Sequence, residues 1–491
     1  MNYNLLDEKW IPVLYRDGRW ERVGIRKVFE DAGRIRQIAA SNPMDRVAIL
    51  RFLIALLYWC KGNPPDDART NLGISFPAEW FQKLDDNKDC FNLLGEGTRF
   101  YQNDAYKGKT AEHTTNYLIH EVPSGTNKWH FRHSTDKVDG LCPACCAMGL
   151  VRLPVFATSG GKGMTAGSGK SPGINAKPPL YVIPIPAGAS LASTLRLSWH
   201  RIDTKMGTPA WEQANVQLPR QGEVPLLTGM TWLPRSVWLG DPEQPESTCV
   251  SCGKKGQVIR RCVFDGKGSS KAAERVWRDP HVIYVSDSKN RDISLHASDG
   301  LSKGQKSVSA SKAWATILAR QWTRILSGLI SGPKNPDEPK SVWIVGFSTV
   351  DNDKYLEAFE VHFCLPGSLM PGSGEKIERW KHEVSNLDGS ESLPERSRNR
   401  MDIVSQVLAV RPHVEDRVSA KAGELVLGGD DAWQQAADEY RPMMTAISKS
   451  LSPGFTASAI QRRQQIALAA PDMRSETEPA KKPSQKKGGH K

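Results

Sequence analysis

Apolar residues near the start of the chain fall into short runs whose spacing separates strands from helices. Residues 10–14 and 20–23 are two such runs with a turn signal, Asp17-Gly18, between them, which predicts two strands joined by a tight turn. Helical spacing of apolar residues from 45 to 60, behind an Asn42-Pro43 entrance, predicts the clearest early helix. Strands and helices are therefore mixed, and the predicted fold class is α+β.

Later apolar runs extend this pattern. Strands are predicted over residues 180–186, 195–199, 282–285 and 342–347, an apolar segment over 232–239, and a strong helix over 313–330. A hairpin is predicted from strands at 342–349 and 355–363, with Asp351-Asn352-Asp353 between them. Neighbouring side chains in a turn point in different directions, so these three residues are interpreted as a turn and not as a metal site. Residues 126–180 are predicted to be mostly loop.

The pattern of apolar residues changes from mixed to helical after a Pro/Gly/Ser stretch at residues 366–374. Beyond it, four amphipathic segments with modest connections predict a C-terminal four-helix bundle. The final residues are basic and lack apolar periodicity, which is typical of a disordered tail. The sequence thus predicts a mixed α+β domain over 1–366, a helical bundle over 374–472 and a basic tail over 473–491.

The strongest chemical signal is a pair of Cys-x-x-Cys motifs, Cys142/Cys145 and Cys249/Cys252. Four thiolates in two such pairs suit a closed, tetrahedral, structural zinc site. Reduced buried cysteines are the main alternative, and a disulfide is disfavoured because nothing in the sequence indicates secretion. Cys146 is adjacent to Cys145 and could resemble a ligand by its position without binding the metal. The remaining cysteines are interpreted as core or chance thiols: Cys60, Cys90, Cys262 and Cys364.

Composition and charge point to a polyanionic partner. The 491 residues include 66 lysines and arginines against 54 acidic residues, a formal net charge of +12, and a positive excess favours nucleic acid. The chain opens MNYNLLDEKW, without the basic start of a signal peptide. Its longest apolar run, 49–60, is broken by Arg51 and is shorter than the roughly 20 residues that span a bilayer. We therefore expect a cytoplasmic protein with no membrane partner.

A Gly/Lys/Ser-rich segment, 160–175, lies between the two cysteine pairs. Its AGSGKS run is not a Walker A loop, because the required first glycine is replaced by Met164 and Ser171 runs into Pro172-Gly173 where a helix should start. The segment is either a flexible surface loop or a loop whose backbone approaches a nucleic-acid groove closely. A metal that holds this loop near Lys267, which follows the second pair, would create a nucleic-acid contact surface.

No hydrolytic constellation stands out among the other polar residues. The histidines do not fall in metalloprotease spacing. Residues 126–140 combine bases with aromatic residues, and Lys128 and Arg132 in this stretch suit contact with a nucleic-acid backbone or docking on an RNA.

Five stretches together resemble the CasA family, the large subunit of the type I-E CRISPR surveillance complex Cascade. They are NLLDEKWIPV at the start, the two cysteine pairs, SGTN before LCPAC, GSGKSPGIN, and GFSTVDND. The resemblance covers nearly the whole chain. It is strong in order and spacing and modest in residue identity.

The resemblance implies a role for particular residues. The four paired cysteines would hold a structural zinc ion, and Asn127 would contact DNA. The glycine loop would read the DNA minor groove through either Gly160-Gly161 or the run Gly167, Ser168, Gly169 and Lys170. Lys267 would be the minor-groove lysine, with Lys271 as the alternative. The tip of the predicted hairpin would be a wedge beside the first target base pair: Thr349, Val350, Asp351 and Asn352.

The resemblance also implies a function without catalysis. Such a subunit recognises a protospacer-adjacent motif in double-stranded DNA and starts strand separation, after which the guide RNA reads the target by pairing. Its partners would be target DNA, CRISPR RNA, the backbone, small and RNA-handle-binding subunits of Cascade, and a helicase-nuclease. A standalone zinc-containing nucleic-acid-processing enzyme and a scaffold whose charge only solubilises it remain the alternatives.

Overall fold

The computed structural model describes the greater part of the chain up to residue 365. The described residues are 2–69, 72–111, 113–119, 121, 140–157, 179–185, 190–266, 274–282, 284–286, 292–294, 340–350 and 354–365. All of them belong to one compact unit. The predicted helix at 313–330, the helical bundle and the basic tail lie outside the described residues, so these remain predictions.

Helices and strands are mixed up to Thr231, as the pattern predicted, and the described elements after it are all strands. The α-helices are α1 Ile25–Glu30, α2 Pro43–Lys61, α3 Gln82–Asp86, α4 Pro143–Phe156, α5 Leu191–Ser198 and α6 Leu226–Thr231. Short 3-10 helices lie at Asp66–Arg69, Ala78–Phe81, Lys88–Phe91, Asp104–Tyr106 and Thr115–Leu118. The strands are β1 Tyr3–Asn4, β2 Ile11–Tyr15, β3 Trp20–Val23, β4 Ile35–Ile38, β5 Asn92–Leu94, β6 His113–Thr114, β7 Tyr181–Ile185, β8 Gln221–Glu223, β9 Arg235–Leu239, β10 Glu243–Thr248, β11 Lys255–Val258, β12 Arg261–Gly266, β13 Glu274–Val276, β14 Tyr284–Ser286, β15 Asp292–Ser294, β16 Lys340–Val350 and β17 Lys354–Leu365.

The N-terminal strands form the predicted hairpin within a three-stranded sheet of order β3-β2-β4. Gly18 has a φ of +88°, in the left-handed region that glycine favours. The backbone N–H of Arg19 donates to the Asp17 carboxylate at 2.9 Å, which closes the turn. The Asp-Gly signal therefore predicted both the turn and the pairing of β2 with β3.

Helix α2 is the centre of the core. The Asn42 side chain accepts a hydrogen bond from the Met44 backbone N–H at 2.8 Å, and Pro43 occupies the first helical position, which explains the start of the helix at this point. Nearly every residue from Met44 to Trp59 is buried, so neighbouring elements cover the helix on all sides. Within the described ranges, none of the helices combines the length and apolar composition that crossing a bilayer requires.

Arg51, which interrupts the longest apolar run, lies inside this core. Its guanidinium makes two hydrogen bonds of 2.6 Å to the Asp279 carboxylate, and both side chains are only 3% exposed. Its Nη1 also donates to Nδ1 of His281 at 3.0 Å, so Nε2 of that ring carries the proton and donates to the Ser198 carbonyl at 2.8 Å. Arg51 also lies over the Tyr181 ring at 4.6 Å. A single buried charge thus joins α2, α5, β7 and the segment before β14.

His281 predicts a pH dependence of stability. Burial and the neighbouring Arg51 charge lower the pKa of His281 from 6.5 to about 3. Between these two values the unfolded chain binds a proton that the folded chain excludes, so stability falls as the pH falls through this window. Between about pH 7 and pH 5, His281 should therefore lower the unfolding free energy of the wild type by on the order of 2 kcal/mol. The His281→Gln variant should not show this part of the decrease. Urea denaturation at both pH values measures it, with His113→Gln as the control. Equal losses in wild type and His281→Gln would contradict the prediction.

Two sequence-based assignments are wrong. Of residues 195–199, predicted as a strand, residues 195–198 belong to helix α5 and Trp199 follows its end. Leu195, Leu197 and Trp199 alternate, but α5 is buried all round, so apolar spacing does not discriminate there. The helix starts where the Ser190 hydroxyl accepts from the Ser193 backbone N–H at 3.2 Å.

The second error concerns the region predicted to be mostly loop, because residues 143–156 form the buried helix α4. Pro143 at the first helical position is a signal for the start of a helix. Pro154, near the end of the same segment, argued against a helix there. For the other elements that the sequence predicted within the described residues, only the first or last residues differ from the prediction. Strand β9 is the second half of the 232–239 segment, and β14 starts two residues later than predicted. Strand β7 agrees with the prediction.

The predicted long hairpin is confirmed as strands β16 and β17, which pair from Lys340 with Leu365 to Val350 with Lys354. Strand β7 adds to the other edge of β16, in the order β17-β16-β7. Asp351, Asn352 and Asp353 connect Val350 to Lys354 and lie outside the described residues. The sheet places Thr349 and Val350 at the end of β16.

Candidate metal centre and nucleic-acid interface

Cys142 and Cys145 lie at the start of helix α4. Cys142 is the residue before the helix and Pro143 its first residue, and the Cys146 backbone N–H donates to the Cys142 carbonyl at 3.0 Å. Residues three apart at a helix start lie one turn apart on the same side, so both thiols face one point. The positive end of the helix dipole favours negative charge on these thiols.

Cys249 and Cys252 lie in the loop of the β10–β11 hairpin, where Thr248 pairs with Lys255. The Cys249 backbone N–H donates to the Lys254 carbonyl, and the Gly253 N–H donates to the Cys249 carbonyl, both at 2.9 Å. Gly253 has a φ of +71°, which only glycine adopts without strain. The glycine after the second pair therefore allows the tight loop that presents both thiols.

The backbone brings the two halves together. Leu141 pairs with Ile259, and the Val250 N–H donates to the Gly140 carbonyl at 3.1 Å. The Cys142 N–H donates to the Cys249 sulfur at 3.3 Å, and the sulfurs of Cys142 and Cys252 are 3.8 Å apart. All four sulfurs lie within 4.8 Å of one another. A tetrahedral zinc ion with Zn–S bonds of about 2.3 Å requires sulfurs about 3.8 Å apart, so the cluster can bind a metal ion of this kind.

Crowding of the four sulfurs favours a partly ionised cluster and disfavours the fully ionised one. Hydrogen bonds from the Cys142 and Cys145 thiols lower the pKa of Cys249 to about 6. Hydrogen bonding within the cluster, first with Cys142, and burial raise the pKa of Cys145. Four thiolates cannot coexist at this spacing without a cation, and a bound dication would let all four ionise.

Arg22 on β3 lies beside the cluster, and sequence reasoning missed it. Its Nη1 is 3.9 Å from the sulfur of Cys252, the most exposed of the four cysteines. Four thiolates around a dication would leave a net charge of −2, and the Arg22 guanidinium would offset part of it. Arg22 is far from the cysteines in the chain and matches no ligand motif, so only the fold identifies it.

Among the cysteines whose side chains the structure describes, the other four take no part in the cluster. Cys146 is fully buried and its thiol donates to the Leu141 carbonyl at 3.8 Å, so it is not a ligand although it adjoins Cys145. Cys262 is buried in β12, as expected of a core thiol, whereas Cys60 and Cys90 are half-buried. Cys364 lies in β17.

Most of the predicted nucleic-acid contacts lie outside the described residues. These are Asn127, Lys128, Arg132, Gly160, Gly161, Gly167, Ser168, Gly169, Lys170, Lys267, Lys271, Asp351 and Asn352. The structure describes residues beside them. Gly140, at the end of the 122–139 segment, accepts the hydrogen bond from Val250, and Gly266, just before Lys267, ends β12 in register with Arg235. The metal centre therefore fixes the point where the segment with Asn127 rejoins the described chain.

A second missed feature is the buried Arg152 of α4. Its Nε donates to Asp45 at 2.8 Å and its Nη1 donates to Glu121 at 2.7 Å, while the Arg152 side chain is 1% exposed. Asn42 also contacts Glu121. This group joins the helix that starts at the metal centre to the first turn of α2 and to the start of the 122–139 segment. Burial raises the pKa of Asp45, which Arg152 opposes.

Comparisons with known proteins agree with this architecture. The model of the CRISPR-associated protein Cse1 family matches residues 4–470. The CRISPR-associated protein CasA/Cse1 of Thermus thermophilus is 25% identical over 410 residues, which cover 77% of this chain and 74% of that protein. Thermobifida fusca Cse1 has a similar crystal structure, with a TM-score of 0.62 at 18% identity over 96% of this chain and 99% of that one.

A chain of a CRISPR RNA-guided surveillance complex aligns with a TM-score of 0.67 at 12% identity, over 95% of this chain and 99% of that one. At such identities the structural likeness establishes the fold, and the family model establishes the membership. The resemblance inferred from the five sequence stretches is confirmed: the chain belongs to the CRISPR-associated Cse1 family.

Proposed function

We propose that the chain is the large, non-catalytic subunit of an RNA-guided CRISPR surveillance complex in the cytoplasm. In this role it recognises a protospacer-adjacent motif in double-stranded DNA, starts strand separation and provides a docking platform for a helicase-nuclease. The observation that carries the proposal is the four-thiol cluster in a member of the Cse1 family. This cluster joins two distant parts of the chain whose neighbouring segments hold the predicted DNA contacts.

We assign zinc to this cluster, held by Cys142, Cys145, Cys249 and Cys252. Four sulfur ligands close the coordination sphere and leave no position for a water or a substrate, as in structural zinc sites. The ion would fix the geometry of the segments around it and would not perform chemistry. This closed sphere is the main argument against the alternative, a standalone zinc-containing nucleic-acid-processing enzyme.

The proposed reading of the motif involves the glycine loop and Lys267, with Lys271 as the alternative lysine. Glycine backbone can approach the floor of the minor groove because it carries no side chain. The minor groove distinguishes A·T from G·C pairs mainly by the guanine amino group, which a close backbone would exclude. The position of Lys267 supports this proposal, because Lys267 directly follows β12. Strand β12 pairs with β9 along its length and with β6 at its first residues.

Asn127, Lys128 and Arg132 are proposed to contact DNA or the guide RNA, and the other Cascade subunits would assemble on the same RNA. The basic residues of this segment suit phosphate contact. The segment begins beside Glu121, which pairs with Arg152, and ends at Gly140 beside the metal centre. Both of its ends are thus held by described contacts.

Substitution of Lys267 tests whether this residue reads the protospacer-adjacent motif. In the assembled complex, Lys267→Ala is expected to weaken binding to motif-bearing duplex by about tenfold, the factor typical of one lost specific contact. Binding to a single strand that matches the guide should be unchanged, because no motif is read there. Equilibrium binding to both DNAs measures it.

Lys255→Ala, an exposed lysine of β11, is the matched control. An equal loss on both DNAs for Lys267→Ala would mean that this lysine contacts only phosphate. Duplex cleavage by the isolated chain would instead favour the enzyme alternative.

A further inference from the structure

Among the described residues, the β16–β17 hairpin changes part of the way along from three paired strands to two, and its two-stranded end is called the unsupported part. Strand β7 pairs with β16 from Ser341 to Val345, and its last pair is Tyr181 with Val345. Beyond that row, five further pairs join only β16 and β17 among the described residues, from Gly346 with Phe359 to Val350 with Lys354. At about 3.3 Å per residue, this two-stranded part extends about 16 Å.

Glu360 lies in the last row that three strands share, because it pairs with Val345. The Arg46 guanidinium donates to both carboxylate oxygens of Glu360, at 3.0 and 3.1 Å. The Trp343 indole N–H donates to the same carboxylate at 2.8 Å, and the Arg46 guanidinium carbon lies 5.0 Å from the centre of the Trp343 ring. An ion pair in which the single nitrogen Nη2 of Arg46 contacts both carboxylate oxygens and a cation–π contact thus meet at the base of the unsupported part.

Arg46 is itself attached to the rigid core. It lies in the first turn of α2, next to Asp45, whose carboxylate is held by the buried Arg152. The Arg46 and Glu360 side chains are 22% and 28% exposed, while Trp343 is 3% exposed. Partial burial reduces screening of this pair by salt, compared with a fully exposed pair. The base of the hairpin is therefore tied to α2 by one cationic side chain.

We propose that Arg46 is a positioning residue that sets the direction in which the β16–β17 hairpin projects. A two-stranded ribbon is only marginally stable alone, so its direction depends on its base. A tilt of about 10° there would move the end of a ribbon of about 16 Å by about 3 Å, close to the ~3.4 Å rise between base pairs. Loss of Arg46 would move Thr349 and Val350 by nearly one base step.

The consequence for strand separation rests on the proposed function. If the end of the hairpin enters the duplex junction, a displaced hairpin must leave the first base step to open unaided. Stacking costs about 1.4 kcal/mol per step, which corresponds to about a tenfold slower opening.

Two measurements on Arg46→Met test the proposal. Hydrogen exchange on the full chain is expected to show faster exchange at the amides of the five unsupported rows, with exchange in β7 unchanged. In the assembled complex, opening of a fully paired target should slow by about tenfold, and a target with mismatches beside the motif should be rescued. Arg46→Lys keeps the charge without the planar guanidinium that lies over Trp343, so it should fall between wild type and Arg46→Met.

The matched control is Arg201→Met, which removes another arginine–carboxylate pair, to Asp66 at 2.7 Å. It should change neither measurement. Unchanged exchange in the five rows of Arg46→Met would overturn the proposal, as would faster exchange with normal opening of the paired target.

A third variant separates this inference from the proposed function. Replacing residues 351–353 with two glycines shortens the hairpin without touching Arg46. If the shortened variant opens paired DNA normally, the hairpin has no role in strand separation, and both the wedge role that the family resemblance implies and the inference fall. If only the shortened variant is slow, the proposed function stands and the role of Arg46 is overturned.

Discussion

Replacing Cys145 with serine is expected to abolish metal binding and to leave little soluble folded protein. Cys145 is buried within the cluster, so its loss leaves three thiolates around an incomplete site. A structural zinc ion can supply on the order of 10 kcal/mol of folding free energy. That amount is comparable with the whole stability of a typical domain, about 5–15 kcal/mol. Elemental analysis and thermal unfolding of the soluble fraction measure the two effects.

Cys146→Ser is the matched control. It changes the adjacent buried thiol, and serine can keep a hydrogen bond to the Leu141 carbonyl. This variant should keep one zinc ion per chain and most of its stability. Folded wild-type protein that contains no metal would overturn the zinc assignment, and so would a Cys145→Ser variant that retains a full equivalent of zinc.

Arg51→Met is expected to destabilise the chain by about 3–5 kcal/mol, because it leaves the Asp279 carboxylate buried without its cation. The flexible methionine fills most of the arginine volume, so the loss would come mainly from charge and not from a cavity. Replacing both partners, Arg51→Met with Asp279→Leu, should recover much of this loss, since no uncompensated charge remains. Urea denaturation of the two single variants and the double variant measures the coupling.

The control for this cycle is the exposed pair of Arg201 and Asp66, whose loss should cost less than about 1 kcal/mol. An Arg51→Met variant as stable as wild type would show that Asp279 gains another cation or water. A double variant no more stable than Arg51→Met alone would show that packing, and not the unpaired charge, dominates the loss.

The sequence predicted those elements whose signals are local. Helix α2 is defined by its Asn-Pro start and its apolar spacing, and the β2–β3 turn by Asp-Gly. The β16–β17 hairpin follows from two apolar runs around a polar turn. In each case the residues that stabilise the element lie within it or beside it, so a short window contains the information.

Helices α4 and α5 were missed because their own residues carry weaker signals than those of α2. All three helices are buried on all sides, but α2 has 19 residues behind an Asn-Pro start, whereas Pro154 interrupts the 14 residues of α4, and α5 has only eight residues. The metal ligands were predictable, since paired thiols carry their chemistry in residue type and spacing. Arg22 beside Cys252 and the Arg152 group were not predictable, because ordinary charged residues become distinctive only when folding brings them together.

The buried pair of Arg51 and Asp279 also constrains how the chain folds during synthesis. The two residues are 228 positions apart, and Cys142 and Cys252 are 110 apart. At about 5–20 residues per second, the ribosome needs roughly 10–45 s after adding Arg51 to supply its partner. During that interval α2 leaves the ribosome as a mostly apolar helix whose Arg51 has not yet met Asp279, before several elements that later cover it exist, among them α4, α5, α6 and β16. The nascent chain should therefore depend on chaperone protection until synthesis passes residue 279, and rare codons placed before that point should lower the yield of folded protein.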